Sequence, residues 1–289
     1  MSELRHSDPG EPGIIRRRKG REFRYSHASG QPVRDRRTPA RIKALVLPPT
    51  WSDVWICRTA DGHIQAVGTD AAGRRQYRYH DVWRAEQDRL KFDRVAQMAR
   101  RLPRFREQVA DHLGRRGMPR ERVLAAAARM LDIGFFRVGG ESYETFGLAT
   151  LRTEHVICDE GRVVCSYPAK GGKAREVEIR DADVCKVVAA LHRTGEKGDL
   201  LRYRADGTWI DVRSDDINDY LRQTMDFEVT AKDFRTWHAT VLAAVGLAVS
   251  ARARSRTGRR RAVTRVIREV ADYLDNTPPW PEPPMWTLA

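Results

Sequence analysis

Residues 230–249 of this chain of 289 residues have the pattern of a helix start that leads into an apolar run. Thr230 and Asp233 have the S/T-x-x-D/E spacing of a helix N-terminus, and residues 241–249 continue the helix with apolar side chains. Arg235 therefore falls in the first turns, where the helix dipole favours an anion. Its planar guanidinium suits a phosphate, and a surface ion pair with Asp233 is the alternative interpretation.

The charge balance indicates a polyanionic partner. Lys and Arg number 53 against 39 Asp and Glu, which gives a net charge of +14. Such an excess favours binding to a polyanion through counterion release, although a ribosome-associated or membrane-surface protein could carry the same charge. With no apolar run of membrane-spanning length and no secretory signal, the chain is expected in the cytoplasm. Its cysteines show no metal-binding spacing and are expected as free thiols: Cys57, Cys158, Cys165 and Cys185.

The N-terminal part divides into a predicted flexible basic arm, residues 1–20, and a predicted β-rich domain, residues 21–85. In the predicted strand at residues 74–80, alternation places Arg75, Tyr77 and Tyr79 on one face. The opposite face carries Arg74, Gln76 and Arg78. Arginine and glutamine contact base edges and phosphates, and tyrosine offers a rigid contact surface. An ordinary sheet with solvated arginines is the alternative.

Residues 86–278 are predicted to form a larger, mainly helical domain. Its first helix shows apolar spacing that Pro103 is expected to interrupt, and the hinge between domains is placed near residues 82–92. A three-stranded meander is predicted at residues 155–158, 162–167 and 175–179. The glycine-rich tip at residues 168–173 carries Lys170 and Lys173, which could deliver a cation to a phosphate or simply be solvated.

Several stretches in the same order resemble the type IB DNA topoisomerases, in the small bacterial and poxvirus-like group. They are KDFRTW at residues 232–237, RVG followed by FGLATL at residues 137–151, and the N-terminal wording PPTW, VWI, GHIQAVGTD and GRRQYRYH. The resemblance covers residues 23–278. It implies an α+β fold: a small β-rich DNA-clamping domain and a larger helical catalytic domain that carries a β-meander, as in tyrosine recombinases.

The resemblance also implies the chemistry. A tyrosine hydroxyl attacks a DNA phosphodiester, gives a 3′-phosphotyrosyl intermediate, and is displaced again after the strand has swivelled. The matching positions make Arg137 and Arg235 the donors to the non-bridging oxygens, Lys170 the general acid, and Asn276 a further donor to the phosphate. Taken alone, Arg137 would suggest a structural ion pair with Glu141 or Glu144.

The same match implies the partners. Gln76, Tyr77 and Tyr79 are expected to meet duplex DNA, with Arg75 and Lys173 as further contacts. Catalysis in this family needs no metal, no cofactor and no ATP. A monomer that acts on double-stranded DNA in the bacterial cytoplasm or nucleoid, without contact to a membrane, is therefore expected.

One member of the catalytic set is missing. The family's nucleophile lies nine residues after the position of Asn276, and this chain has Met285 there, whose side chain cannot attack phosphorus. The nearest tyrosine is Tyr273, in the preceding predicted helix. The chain is therefore expected to bind DNA and to be defective in cleavage. A non-catalytic DNA-binding clamp is the alternative, and a tyrosine recombinase is a third, against which the β-rich N-terminal domain argues.

The genetic code offers an explanation for residues 279–289, an aberrant tail rich in Pro and Trp. Read from one base earlier, the codons of this tail force alanine opposite Pro281, valine opposite Trp286 and aspartate opposite Thr287. All three match the family's tail, N-T-P-A-V-A-R-x-S-Y-V-D-P-R, and the triplet opposite Met285 permits tyrosine. The sequence therefore predicts a single-base frameshift after the codon of Pro278, in the gene or in its sequencing. A divergent, unstructured tail is the alternative.

Overall fold

The computed structural model describes residues 4–20, 22–139, 146–168, 174–195, 198–250 and 255–274. The chain divides between Lys91 and Phe92 into two units, Met1–Lys91 and Phe92–Ala289. Each unit has a hydrophobic core of its own. The predicted boundary after residue 85 lies within a helix, Asp81–Leu113, that runs through this division.

The N-terminal unit is built on a five-stranded antiparallel sheet in the order β2-β1-β3-β4-β5. The strands are β1 (Ile14–Lys19), β2 (Glu22–His27), β3 (Ser52–Ile56), β4 (Ile64–Thr69) and β5 (Arg75–Tyr79). Helix α1 (Arg37–Ala44) contributes Ile42 to a core with Ile14, Val54, Ile56 and Ala66. In the strand order given above, β5 is the last strand and forms one edge of the sheet.

The prediction of a flexible arm over residues 1–20 is wrong for Ile14–Lys19, which form β1 between β2 and β3. Arg16 is buried there, and its guanidinium donates to the carbonyls of Pro48 (2.9 Å) and Trp51 (2.8 Å). Burial lowers the pKa of Arg16, but these hydrogen bonds offset the cost of desolvating its charge. Because arginines replace apolar side chains in this strand, the sequence shows no apolar alternation.

The second unit combines helices with two small sheets. Its helices are α2 (Asp81–Leu113, shared with the first unit), α3 (Arg120–Gly134), α4 (Ala182–His192), α5 (Ser214–Met225), α6 (Ala231–Val249) and α7 (Arg256–Tyr273). The predicted meander is confirmed as β6 (Val156–Asp159), β7 (Arg162–Pro168) and β8 (Ala174–Arg180), and β9 (Arg202–Ala205) pairs with β10 (Thr208–Asp211). The core surrounds α3, whose residues from Val123 to Ala128 are fully buried.

Helix α2 continues through Pro103, contrary to the predicted interruption. Proline inside a helix costs about 3 kcal/mol because it removes one hydrogen bond and clashes with the preceding turn. The apolar face of α2 continues on both sides of the proline, with Met98, Leu102, Phe105 and Val109 all buried. This packing outweighs the local penalty.

The prediction of free thiols holds for Cys57 and Cys165, which are buried and unpaired. It is wrong for Cys158 in β6 and Cys185 in α4, which form a disulfide with a Cα–Cα distance of 5.6 Å. They are separated by 27 residues, and only the packing of α4 on the meander brings them together. Among the described residues, none of the helices combines the length and the apolar character that a membrane crossing requires.

Candidate active site

The candidate site is built around the backbone turn at the end of α3. Phe135 adopts a left-handed conformation, with φ of 56°, and so ends the helix. Its carbonyl oxygen accepts from Nη1 of Arg235 at 2.9 Å and from Nη2 of Arg175 at 3.2 Å. One carbonyl therefore ties together the segment that leads to Arg137, the start of β8, and the N-terminal part of α6.

The predicted capping of α6 is confirmed. The carboxylate of Asp233 accepts from the backbone N–H and the hydroxyl of Thr230, both at 2.9 Å, and from Nε of Arg94 at 2.9 Å. Asp233 is buried, so these donors satisfy its charge inside the protein. Arg235 instead donates to two carbonyls, those of Phe135 and Leu274. The carboxylate of Asp233 thus pairs with Arg94 rather than with Arg235.

The segment that carries Arg137 is fixed by its backbone. The N–H of Leu148 donates to the carbonyl of Arg137 at 2.8 Å. Gly139 has φ of +81°. A Cβ atom added to Gly147 would lie 2.4 Å from the Cα atom of Gly139. The close approach that the sequence predicted at its glycines is thus present at Gly139, whereas Gly140 lies outside the described residues. The Arg137 side chain is half-buried.

Four predicted positions lie outside the described residues: Lys170, Lys173, Asn276 and Met285. For the lysine loop and for Asn276, residues close by in the chain are described. Pro168, before the lysine loop, accepts from the N–H of Phe146 at 3.2 Å, and Arg175, after the loop, donates to Phe135. Leu274, two residues before Asn276, accepts from Arg235. The described residues that flank the lysine loop and Asn276 are therefore hydrogen-bonded to Phe135, Phe146 or Arg235. Glu141 and Glu144, the predicted structural partners of Arg137, also lie outside the described residues.

His238, one turn after Arg235 in α6, contributes to this site and was not predicted from the sequence. Its Nε2 donates to the carbonyl of Asp132 at 2.8 Å, and its ring meets the Phe135 ring edge-on at 4.6 Å. Burial lowers the pKa of His238, so the ring is neutral. The Asp132 carboxylate in turn accepts two hydrogen bonds from Arg106, at 2.7 and 2.9 Å. His238 thereby joins α6 to the end of α3. Its position three residues after Arg235 was the only signal in the sequence.

In the N-terminal unit, the predicted faces of β5 are confirmed. The Tyr77 and Tyr79 rings stack with centroids 6.0 Å apart, and the guanidinium carbon of Arg75 lies 5.9 Å from the Tyr77 centroid. Gln76 points to the opposite face, where its Nε2 donates to Asp70 at 2.9 Å. Because β5 is an edge strand, side chains of both faces lie beside an open edge.

Two further arginines lie on the same face as Tyr77. Arg17 in β1 and Arg24 in β2 are directly paired across the strands, and both are exposed. Like charges opposite one another in a sheet are destabilising, which a bound polyanion would relieve. Arg17 was missed because residues 1–20 were predicted to be an arm, and its cross-strand partner Arg24 was missed with it. Among the described residues, no group of three or more His, Cys, Asp or Glu side chains could hold a metal ion.

Comparison with known proteins agrees with this architecture. Residues 80–283 match the family model described as the catalytic core of eukaryotic DNA topoisomerase I. Residues 22–70 match the N-terminal domain of bacterial DNA topoisomerase IB. The DNA topoisomerase 1B of Acanthamoeba polyphaga mimivirus is 28% identical over 280 residues, which are 92% of this chain and 82% of that protein. The chain therefore belongs to the type IB DNA topoisomerases, a family of isomerases with a mixed α+β fold.

Proposed function

We propose that this chain binds duplex DNA as a monomer with the phosphate-binding apparatus of a type IB topoisomerase, and that it does not cleave the DNA. The observation that carries the proposal is the shared Phe135 carbonyl, which links Arg235 to the segment of Arg137. The cleavage defect follows from Met285, because a thioether has no proton to lose and cannot form a phosphoester.

In the proposed site, Arg137 and Arg235 hold the non-bridging oxygens of one phosphate. Fixed guanidinium donors stabilise the charge that develops there in the transition state. Arg235 is anchored through Phe135 and Leu274, which leaves little freedom for its side chain. Once a nucleophile is restored, Lys170 gives a proton to the leaving 5′-oxygen, and Asn276 donates a further hydrogen bond to the phosphate. Family membership and the position of the flanking residues support these four proposed roles.

DNA binding through the N-terminal sheet is part of the same proposal. The face that carries Tyr77 presents Arg75, Tyr77 and Tyr79 at one edge and the pair Arg17 and Arg24 near the other. Cations bind backbone phosphates, and each neutralised phosphate adds about 0.9 to the magnitude of the log–log salt slope. A net charge of +14 supports such a steep salt dependence.

The test compares three chains in metal-free, ATP-free buffer: the unmodified chain, Met285→Tyr, and a chain whose residues 279–289 are replaced by the alternative-frame tail. All three are expected to bind duplex DNA with a steep salt dependence. The replaced tail should restore relaxation of a supercoiled plasmid, and Met285→Tyr should restore less because the neighbouring prolines disfavour a helix. The unmodified chain should relax nothing.

Three outcomes would decide against the proposal or refine it. Binding that does not respond to salt would refute DNA binding. Relaxation by the unmodified chain would refute the cleavage defect, and the Tyr273→Phe variant would then show whether the exposed Tyr273 acts as the nucleophile. A replaced tail that binds DNA and relaxes no plasmid would favour the diverged, non-catalytic clamp over a frameshifted enzyme.

A further inference from the structure

The turn between β4 and β5 is organised by one carboxylate. Oδ1 of Asp70 accepts from the backbone N–H groups of Ala72 (2.9 Å) and Arg74 (3.0 Å). Oδ2 accepts from Nε of Arg74 (3.0 Å) and from Nε2 of Gln76 (2.9 Å). The hydrogen bond from the Arg74 backbone is the main cause that lowers the pKa of Asp70 to about 2. Asp70 is therefore ionised at neutral pH and can only accept hydrogen bonds.

This carboxylate determines which way the Gln76 amide faces. A side-chain amide can present either its NH₂ group or its oxygen to a neighbour, but only the NH₂ group can donate to an ionised carboxylate. Nε2 of Gln76 is thus held towards Asp70, and Oε1 points elsewhere. No hydrogen bond to Oε1 occurs among the residues that the structure describes. Gln76 is only half-buried and lies on the edge strand of the sheet.

We propose that Asp70 determines the base preference of this protein by orienting Gln76. The inference rests on the proposed function, since it requires that β5 contacts the major groove of duplex DNA. A fixed amide oxygen accepts a hydrogen bond from an exocyclic amino group, which adenine (N6) and cytosine (N4) present in that groove. Guanine and thymine present the acceptors O6, N7 and O4 there, which face the amide oxygen unfavourably. One base pair of the site therefore has adenine or cytosine on the contacted strand.

The Asp70→Asn variant distinguishes the proposed orienting role of Asp70 from a purely structural role in the turn. Oδ1 of the new asparagine still accepts from Ala72 and Arg74, so the turn is retained. Its NH₂ group replaces Oδ2, so the exposed Arg74 side chain can no longer donate there and turns to solvent. The Gln76 amide has to turn over in order to accept from the new NH₂ group. Gln76 then presents its NH₂ group to the groove. The preference at the contacted base should change from adenine or cytosine to guanine or thymine.

The experiment selects preferred sites for the unmodified chain from a library of randomised duplexes and repeats the selection with the variants. The position that Gln76 contacts is identified as the one whose preference disappears in Gln76→Ala. At that position, the unmodified chain should favour adenine or cytosine by about three- to tenfold, the effect of one hydrogen bond. Asp70→Asn should reverse this preference by a similar factor. Asp61→Asn, which removes the same charge in another turn of the same unit, should leave the preference unchanged.

The outcomes separate the two proposals. If the unmodified chain binds no duplex, the proposed function itself fails. If it binds duplex DNA but Gln76→Ala changes no base preference, the inference is wrong and the proposed function stands. The inference is also wrong if Asp70→Asn weakens binding to all sequences equally, since Asp70 would then only maintain the turn.

Discussion

Replacement of His238 tests whether the end of α3 and the start of α6 form one fixed unit. The imidazole is 6% exposed and contacts both the Asp132 carbonyl and the Phe135 ring. The hydrogen bond contributes about 0.5–1.5 kcal/mol net, and the aromatic contact about as much. With the cavity that the missing ring leaves behind, His238→Ala should destabilise this region by about 2–4 kcal/mol. His238→Gln can still donate to Asp132 and should cost about 1 kcal/mol.

Hydrogen–deuterium exchange with mass spectrometry measures this effect locally. Peptides that cover residues 131–139 and 231–241 should exchange faster in His238→Ala, because their opening free energy falls by the amount given above. His192→Ala, which changes an exposed histidine of α4, should leave these peptides within about 0.5 kcal/mol of the unmodified chain. Unchanged exchange in His238→Ala would show that His238 does not hold the two segments together.

The same residue predicts a pH dependence. Burial lowers the pKa of His238 below its ordinary value of 6.5, so the unfolded chain binds this proton first as the pH falls. Its contribution to stability is complete above pH 6.5 and is lost as the pH falls towards the pKa of the folded state, by at most about 1.4 kcal/mol per pH unit. The difference in unfolding free energy between the unmodified chain and His238→Gln should therefore shrink on acidification. Three other histidines also have lowered pKa values: His63, His112 and His155. They are present in both chains, so their contributions cancel in the difference between the two unfolding free energies. A difference that grows on acidification would contradict this assignment.

Three further predictions concern other parts of the molecule. Gly147→Ala should cost about 1–3 kcal/mol in urea unfolding, because the new methyl group would overlap Gly139; an unchanged midpoint would argue against their close contact. Asp233→Asn should cost about 1–3 kcal/mol through its weakened buried hydrogen bonds, and a neutral effect would show that the cap contributes little. Arg17→Gln and Arg24→Gln should each reduce the log–log salt slope of DNA binding by about 0.9 while stabilising the free protein by about 0.2–1 kcal/mol. An unchanged slope would exclude both arginines from the DNA contact.

Local patterns in the sequence predicted the strands in which side chains alternate between faces and the helix that begins with a capping pair. The meander, the capping of α6 and the two faces of β5 all follow from the properties of neighbouring residues. The catalytic roles proposed for Arg137 and Arg235 came from the family resemblance. Nothing in their local sequence distinguishes them from the structural arginines Arg94 and Arg106, which pair with buried carboxylates.

The features that sequence reasoning missed depend on distant partners. Arg16 is tolerated in β1 only because carbonyls from residues 48 and 51 satisfy its guanidinium. Pro103 is tolerated because packing on both sides of it holds the helix together. The Cys158–Cys185 disulfide and the contact of His238 with Asp132 also join segments that are far apart in the chain. None of these partners could be identified from local spacing.

Covalent trapping on DNA tests directly whether the site lacks only its nucleophile. The substrate is a duplex in which the short 5′-hydroxyl fragment dissociates after cleavage, so that the strand cannot be rejoined. A protein that has cleaved it stays attached through a 3′-phosphotyrosine, and peptide mass spectrometry identifies the attached residue. The unmodified chain should give no adduct, and the chain with the alternative-frame tail should give one at position 285. An adduct on the unmodified chain, at Tyr273 or at any other residue, would contradict the account, as would the absence of an adduct from a replaced-tail chain that binds the duplex.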